Sequence, residues 1–208
     1  FAALWRAAFP VRFRSPDTDF GLSHWVGLQE CSVQWRNYIT KELSDYYAYV
    51  GIGREDGDTG EACGILYAKD KFNLIETGTK WLTSTPDEVS QLPGAEYLRV
   101  YTWVTLERKT DGVQFMHLNT HLDTAGSDIR QTEAAMLVEF LYEHRDLAIV
   151  MTGDFNCSSE STEFAMLVSE FMRNCAEIAA EKDMGSFTVN GVIDFLLVYD
   201  LYIDVQYY

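Results

Sequence analysis

Positive charge is scarce in this chain: 16 Lys and Arg stand against 32 Asp and Glu, for a formal net charge of −16. Proteins that bind long nucleic acids set many cations against phosphates. The RFR run at 12–14 is too short to form such a patch, so a small substrate is expected before nucleic acid. Cysteine is scarce too. The four at Cys31, Cys63, Cys157 and Cys175 contain no C-x-x-C pair, which argues against a zinc knuckle and against a disulfide framework. Cys157 is expected to be structural, because no activating His lies near it in sequence. Long hydrophobic runs are missing: nothing approaches the roughly 18 apolar residues of a membrane span. No signal peptide is visible, although the chain begins abruptly at Phe1 and secretion stays open. Together with the reduced-looking cysteines this sets the expectation of a cytoplasmic monomer without membrane contact. There is no repeat at a period of roughly 20–50 residues.

What is present is apolar and aromatic residues at 47% and 14%, enough for one domain over 1–208 with a sizeable core. Trp35, Tyr38, Ile39 and Leu43 share a face of a helix predicted over Ser32–Leu43. YYAYVGIG, CGILYAK (63–69) and FNLIETG (72–78) read as strands. Two longer ones, 98–108 and 112–122, flank a connection ending in Asp111-Gly112, a hairpin signal. The stretch 128–145 is the clearest helix, with Ile129, Thr132, Met136, Leu137, Phe140 and Leu141 as its stripe and charge on the other side. A buried strand over Leu147–Met151, a helix near 161–172 with Glu160 and Glu163 at its start, a turn at Asn190-Gly191 and a strand over Val192–Val198 complete the pass. Strand pairs separated by helices indicate a mixed α/β or α+β sheet domain.

Chemistry-bearing residues collect at strand ends. VMTGDFNCSS stops an apolar run at Gly153 and sets Asp154 and Asn156 two residues apart, where both can face one pocket. An Asx turn is the ordinary alternative. VGLQE ends in Gln29-Glu30, MHLNTHLDT alternates Asn119, His121 and Asp123 onto one face, and Asp194 sits among apolar neighbours where an unpaired charge is costly. Singly, Glu30 reads as a helix-start acid, His121 as a core histidine and Asp194 as the partner of a buried Arg. Collected over one sheet edge, these acids and amides form a hard-cation site suited to Mg²⁺, which takes oxygen ligands and needs only one or two carboxylates. Mn²⁺ is the natural substitute.

GLQE, NTHLD, GDFN and GVIDF, in this order, resemble the endonuclease/exonuclease/phosphatase superfamily of metal-dependent phosphoesterases. The resemblance runs from about residue 9 to 199. GEACGILYAKDKF, GTKWLTSTPDE and LRVYTWVTL are similar to its compact bacterial branch, which includes sugar-phosphate phosphatases. The fold this implies is a four-layered α/β sandwich, two mixed sheets flanked by helices with the site at one sheet edge. The roles it implies are Glu30 as metal ligand, His121 on the scissile phosphate, and Asp154 orienting or deprotonating the attacking water beside the metal. Asn156 would hold water and phosphate, Asp194 would orient a neighbour of the metal or catalytic histidine, and Asn119 would bind substrate. Arg99 is a candidate phosphate ligand, with pairing to an acid at least as favoured.

Two departures stand beside the resemblance. The family's terminal Ser-Asp-His does not appear before Tyr208, and none of His24, His117, His121 and His144 replaces it by position. Pro10 stands where the family has a metal-site Asn, and Trp25 runs straight into VGLQE where a helix normally intervenes. The expectation is that segments around 25/26 and after 208 are missing from the chain as given. The function expected is a Mg²⁺-dependent phosphatase on a small phosphorylated metabolite such as a sugar phosphate. The alternatives are a nuclease of the same superfamily and a catalytically dead binding domain.

Overall fold

The computed structural model describes residues 24–169, 172–178 and 194–199. Pro10, the Asn190-Gly191 turn, residues 192–193 and the segment after 199 lie outside the described residues. The chain runs β1 (Trp25–Cys31), α1 (Val33–Glu42), β2 (Tyr47–Val50), β3 (Ala62–Ala68), β4 (Phe72–Trp81), β5 (Val100–Arg108) and β6 (Gln114–His121). It continues through α2 (Ser127–Glu143), β7 (Ala148–Asp154), α3 (Thr162–Ser169), β8 (Arg173–Asn174), α4 (Cys175–Ile178) and β9 (Asp194–Tyr199). A three-stranded antiparallel sheet has the order β1-β3-β2, and a six-stranded sheet the order β4-β5-β6-β7-β9-β8. The six-stranded sheet is mixed: β6 and β7 run parallel while the other pairs are antiparallel. Parallel neighbours require a crossover, and α2 provides it.

Period-2 alternation explains the layers. Phe115 of β6, Ala148 and Val150 of β7, and Val104 and Leu106 of β5 turn toward Trp25, Ile65 and Tyr67 of the smaller sheet, making the core between the sheets. Their neighbours Met116, Leu118, Ile149, Met151, Tyr101 and Trp103 turn the other way, against Leu137, Phe140 and Leu141 of α2 and Phe164 and Leu167 of α3. This is an α/β sandwich of two sheets flanked by helices. The described strands of the smaller sheet are all antiparallel.

Two helical faces also differ from the sequence pattern. Ser32 caps α1, its hydroxyl accepting the Trp35 N–H at 3.4 Å, yet the helix buries none of its residues and Tyr38 is 58% exposed. Periodicity marked an apolar face there, but α1 meets β2 without burying that face. On α2 the buried face is Glu133, Ala134, Leu137, Phe140 and Leu141, with Thr132 exposed. Glu133 can lie on that face because its carboxylate accepts the backbone N–H of Asp123 at 2.8 Å. Residues 25 and 26 are successive positions of β1, opposite Tyr67 and Leu66.

Candidate active site

The face of β6 that looks at the smaller sheet becomes polar along its length: Phe115, His117, Asn119, His121. The matching face of β7 does the same: Ala148, Val150, Thr152, Asp154. Parallel pairing puts these residues side by side as Phe115 with Ala148, His117 with Val150, Asn119 with Thr152, and His121 with Asp154. The core is therefore dry at one end and reaches the surface as a histidine beside a carboxylate. On the far side of β7, antiparallel register sets Asp194 opposite Asp154. Gly153 permits this close packing, since a Cβ there would lie 2.7 Å from the Thr120 carbonyl oxygen and from the Phe155 ring.

Where β7 ends, the Asp154 carboxylate accepts the Asn156 N–H at 2.9 Å, and Asn156 takes a left-handed φ of 47°. This is the Asx turn, and it is built so that its amide works on the site. The Asn156 side-chain nitrogen donates to the Leu122 carbonyl at 2.8 Å and to His121 Nε2 at 2.9 Å. Because the carbonyl can only accept, the amide orientation is set, and His121 Nε2 must be a lone pair with the proton on Nδ1. Burial, reinforced by the positive charges of Arg99 and Arg54, pulls His121 down to about 3, so the ring is neutral around pH 7. Asp154 Oδ2 is 3.8 Å from it.

Glu30 closes the site from the smaller sheet. It sits on β1 where the pairing with β3 is irregular between Leu28 and Cys31, with an exposed side and a φ of 51°. Glu30 and Asn156 are the non-glycine residues with left-handed φ among the described residues, a costly conformation that gathers at functional sites. Glu30, His121, Asp154 and Asn156 line one cavity of about 210 Å³ together with Arg54, Glu61, Tyr97, Arg99 and Thr124. Glu30 is thus a strand residue, not a helix-start acid.

Of the two roles weighed for Arg99, the structure shows the pairing to an acid. It lines the cavity, and its Nε lies 3.2 Å from Asp123 Oδ2 in a buried pair. Burial opposes charge on Asp123, but the N–H groups of Glu96, Ala125 and Tyr97 and the Arg99 cation outweigh it and hold the carboxyl below its ordinary range. Asn119 is not at the cavity. Its expected place as a substrate contact is corrected by its total burial between the sheets, where its carboxamide is fully engaged. Cys157 is buried and its thiol pushed up to about 11, which leaves it protonated at neutral pH.

Sequence reasoning missed Arg54, Glu61 and Tyr97. Arg54 pairs with Glu61 at 2.9 Å, and its guanidinium carbon lies 5.1 Å from the Tyr97 ring centre, with that of Arg99 at 5.0 Å. The loop that carries Arg54 is rigid: Gly53 and Gly57 pair, Arg54 N donates to Glu61 O at 3.0 Å, and the Trp81 indole donates to Arg54 O at 2.7 Å. In sequence it is a run of turn residues, and only Arg between Gly53 and Glu55 hinted at more.

As to a cation, the available donors are the Glu30 and Asp154 carboxylates and the Asn156 carboxamide oxygen, whose amide nitrogen is already committed. No group of three or more acidic, histidine or cysteine side chains close enough to share an ion occurs among the described residues. Two carboxylates with further oxygen donors fit Mg²⁺, which keeps several waters, and do not fit a soft-metal site.

The two packed sheets, with acids and amides at the strand ends over one cavity, define a DNase I-like α/β sandwich. Solved structures agree. An endonuclease/exonuclease/phosphatase family protein from Bacteroides thetaiotaomicron is 31% identical with a TM-score of 0.78, over 85% of this chain and 69% of that one. A mannosyl-6-phosphatase from the same organism is 30% identical with a TM-score of 0.81, over 88% and 73%. The human Nocturnin catalytic domain, with a bound sulfate anion, shares the fold at 18% identity and a TM-score of 0.70, over 86% and 69%. No family model and no curated protein matches the chain by sequence. This chain belongs to the endonuclease/exonuclease/phosphatase family of phosphoester hydrolases. No helix among the described residues is long and apolar enough to cross a membrane.

Proposed function

We propose that the chain is a Mg²⁺-dependent phosphomonoesterase acting on a small phosphorylated metabolite such as a sugar phosphate. The observation that carries this reading is the convergence of Glu30, His121, Asp154 and Asn156 on one cavity with Arg99 and Arg54 in its wall. The net charge of −16 weighs against a polyanionic substrate, and the mannosyl-6-phosphatase of similar fold supports a sugar phosphate.

Glu30 and Asp154 would hold the cation, which when bound neutralises phosphate charge and polarises the phosphorus. Asp154 orients the attacking water and accepts its proton. Asn156 fixes the neutral tautomer of His121, so that the ring offers an Nδ1–H donor and carries no charge of its own. Arg99, held rigid by Asp123, supplies positive charge where the phosphate oxygens gather negative charge. Strand register sets Asp194 opposite Asp154, and it would orient a neighbour of the cation or of His121.

The test is phosphate release from a panel of hexose phosphates, run beside a single-stranded oligonucleotide. The expected outcome is sugar-phosphate turnover that EDTA abolishes and Asp154→Ala reduces at least about a hundredfold. Preferred cleavage of the oligonucleotide would overturn the substrate class, and undiminished turnover in Asp154→Ala the residue assignment.

A further inference from the structure

Asn119 lies in the middle of β6 with none of its surface exposed. All four hydrogen-bonding positions of its carboxamide are taken, by groups from both sheets. Its nitrogen donates to the carbonyls of Leu28 at 2.9 Å and Gly64 at 3.0 Å, and its oxygen accepts from the Thr152 hydroxyl at 2.9 Å and from the Gln29 side-chain amide. The Thr152 hydroxyl has given its one proton to Asn119. It must therefore accept from His117 Nε2, 2.9 Å away, which sets His117 as the Nε2–H tautomer. A directional chain of hydrogen bonds thus runs from the core histidine through Thr152 and Asn119 into β1.

The place where that chain ends is specific. Leu28 and Gly64 face each other across the β1–β3 register, immediately before the pairing becomes irregular. Gln29 is the residue before Glu30, whose φ of 51° turns its carboxylate away from regular strand alternation. Gly27 gives an independent sign of the same fit. A Cβ there would lie 2.2 Å from Thr152 Oγ1 and 2.6 Å from Asn119 Oδ1, so β1 approaches this carboxamide as closely as a backbone can. A strand slip of one residue would reverse every side chain of β1, and a chain of hydrogen bonds joining Leu28 O, Gly64 O and the Gln29 amide to one carboxamide prevents it.

We infer that Asn119 is a positioning residue for Glu30: it locks the irregular end of β1 onto the β6–β7 pair, so that Glu30 meets the cavity that His121 and Asp154 share. The assignment rests on the reading of Glu30 as a cation ligand. Asn119 touches neither substrate nor cation. It acts through the backbone of Leu28 and the side chain of Gln29, as outer-shell partners commonly do around metal ligands.

The test uses the full chain and Mn²⁺ alone, with free Mn²⁺ followed by electron paramagnetic resonance and amide hydrogen exchange measured in parallel. The variants are Asn119→Ser, the milder Gln29→Leu in case the first does not fold, and Glu30→Gln as the reference. The expected result is a rise of about 10–100-fold in the Mn²⁺ dissociation constant for Asn119→Ser and Gln29→Leu. Exchange should accelerate at residues 26–31 and stay unchanged along β4 and β5. Unchanged Mn²⁺ affinity in both variants, while Glu30→Gln loses it, overturns the assignment. So does exchange that rises equally in both sheets, because Asn119 would then be holding the core and nothing more particular. Should Glu30→Gln bind Mn²⁺ as tightly as the unaltered chain, the cation reading fails on its own evidence and the assignment falls with it.

Discussion

The two sheets serve the cavity in opposite ways. From the six-stranded sheet come His121 and Asp154, neighbours in a parallel ladder, flanked by strands on both sides and held by main-chain hydrogen bonds. From the three-stranded sheet comes Glu30, exposed, left-handed in φ, at a point where the ladder is interrupted. One wall is positioned by the sheet itself, the other by side chains that reach across from the first. A wall of the first kind changes only with its chemistry. A wall of the second kind can lose its place without losing its carboxylate.

The largest effect that separates the walls is on turnover. His121→Ala should cut phosphate release about a hundredfold, the scale of one oriented donor, and added Mg²⁺ should not restore it. Glu30→Gln should fall at least as far at low Mg²⁺ and recover in part as Mg²⁺ is raised, because its loss weakens binding of the ion more than the chemistry. Measuring kcat against Mg²⁺ concentration for both variants checks this. Equal recovery in the two would erase the distinction between the walls.

The same difference decides what could be read from sequence. Asp154, Asn156 and His121 were legible because strand alternation carries a residue to a known face and Gly153 marks where the strand meets the cavity. Hairpin and helix positions were legible for the same reason, as at 109–112 and α2. Asn119 was misassigned: alternation correctly put it on the face of His121, but depth along that face is not in the pattern, and two residues separate the cavity from the sealed core. The helical pattern puts charge on the solvent side of α2, yet Glu133 is buried, because its partner is a backbone N–H ten residues away that composition cannot show. Arg54 and Tyr97 come from loops, where no periodicity exists to place them.

A smaller effect concerns stability along β6 and is read by urea unfolding. Burial pulls His117 down to about 3, and His121 likewise. In the unfolded chain both return toward 6.5, so between about 3 and 6.5 the unfolded chain binds more protons than the folded one. Stability is therefore full above 6.5 and lost as pH falls through this window. The urea midpoint should drop steadily from pH 7 to pH 4, and His117→Gln should make the drop shallower. A midpoint that is flat over this range would mean that neither ring is sealed from solvent as its burial implies.

Glu133 should produce the smallest effect, and of opposite sign. It is buried on α2 with one carboxylate oxygen on the Asp123 N–H and Oε1 without a hydrogen-bond partner among the described residues. Burial pushes its carboxyl up to about 7 from an ordinary 4.5. The folded chain then holds a proton between about 4.5 and 7 that the unfolded chain has released, so this group stabilises fully below 4.5 and its contribution is lost as pH rises to 7. Over 4.5 to 6.5 it opposes the two histidines, and the wall behind Arg99 favours acid while the floor beneath His121 favours base. Glu133→Gln keeps an oxygen for the Asp123 N–H and removes the charge that forms at higher pH. Its urea midpoint should match the parent near pH 5 and exceed it at pH 8, by an amount worth about 1 kcal/mol, the net scale of one buried polar contact. A variant that is less stable at both pH values would show that Oε1 has an unseen partner, and that this end of the wall is held by a network in which the carboxylate is needed as an ion.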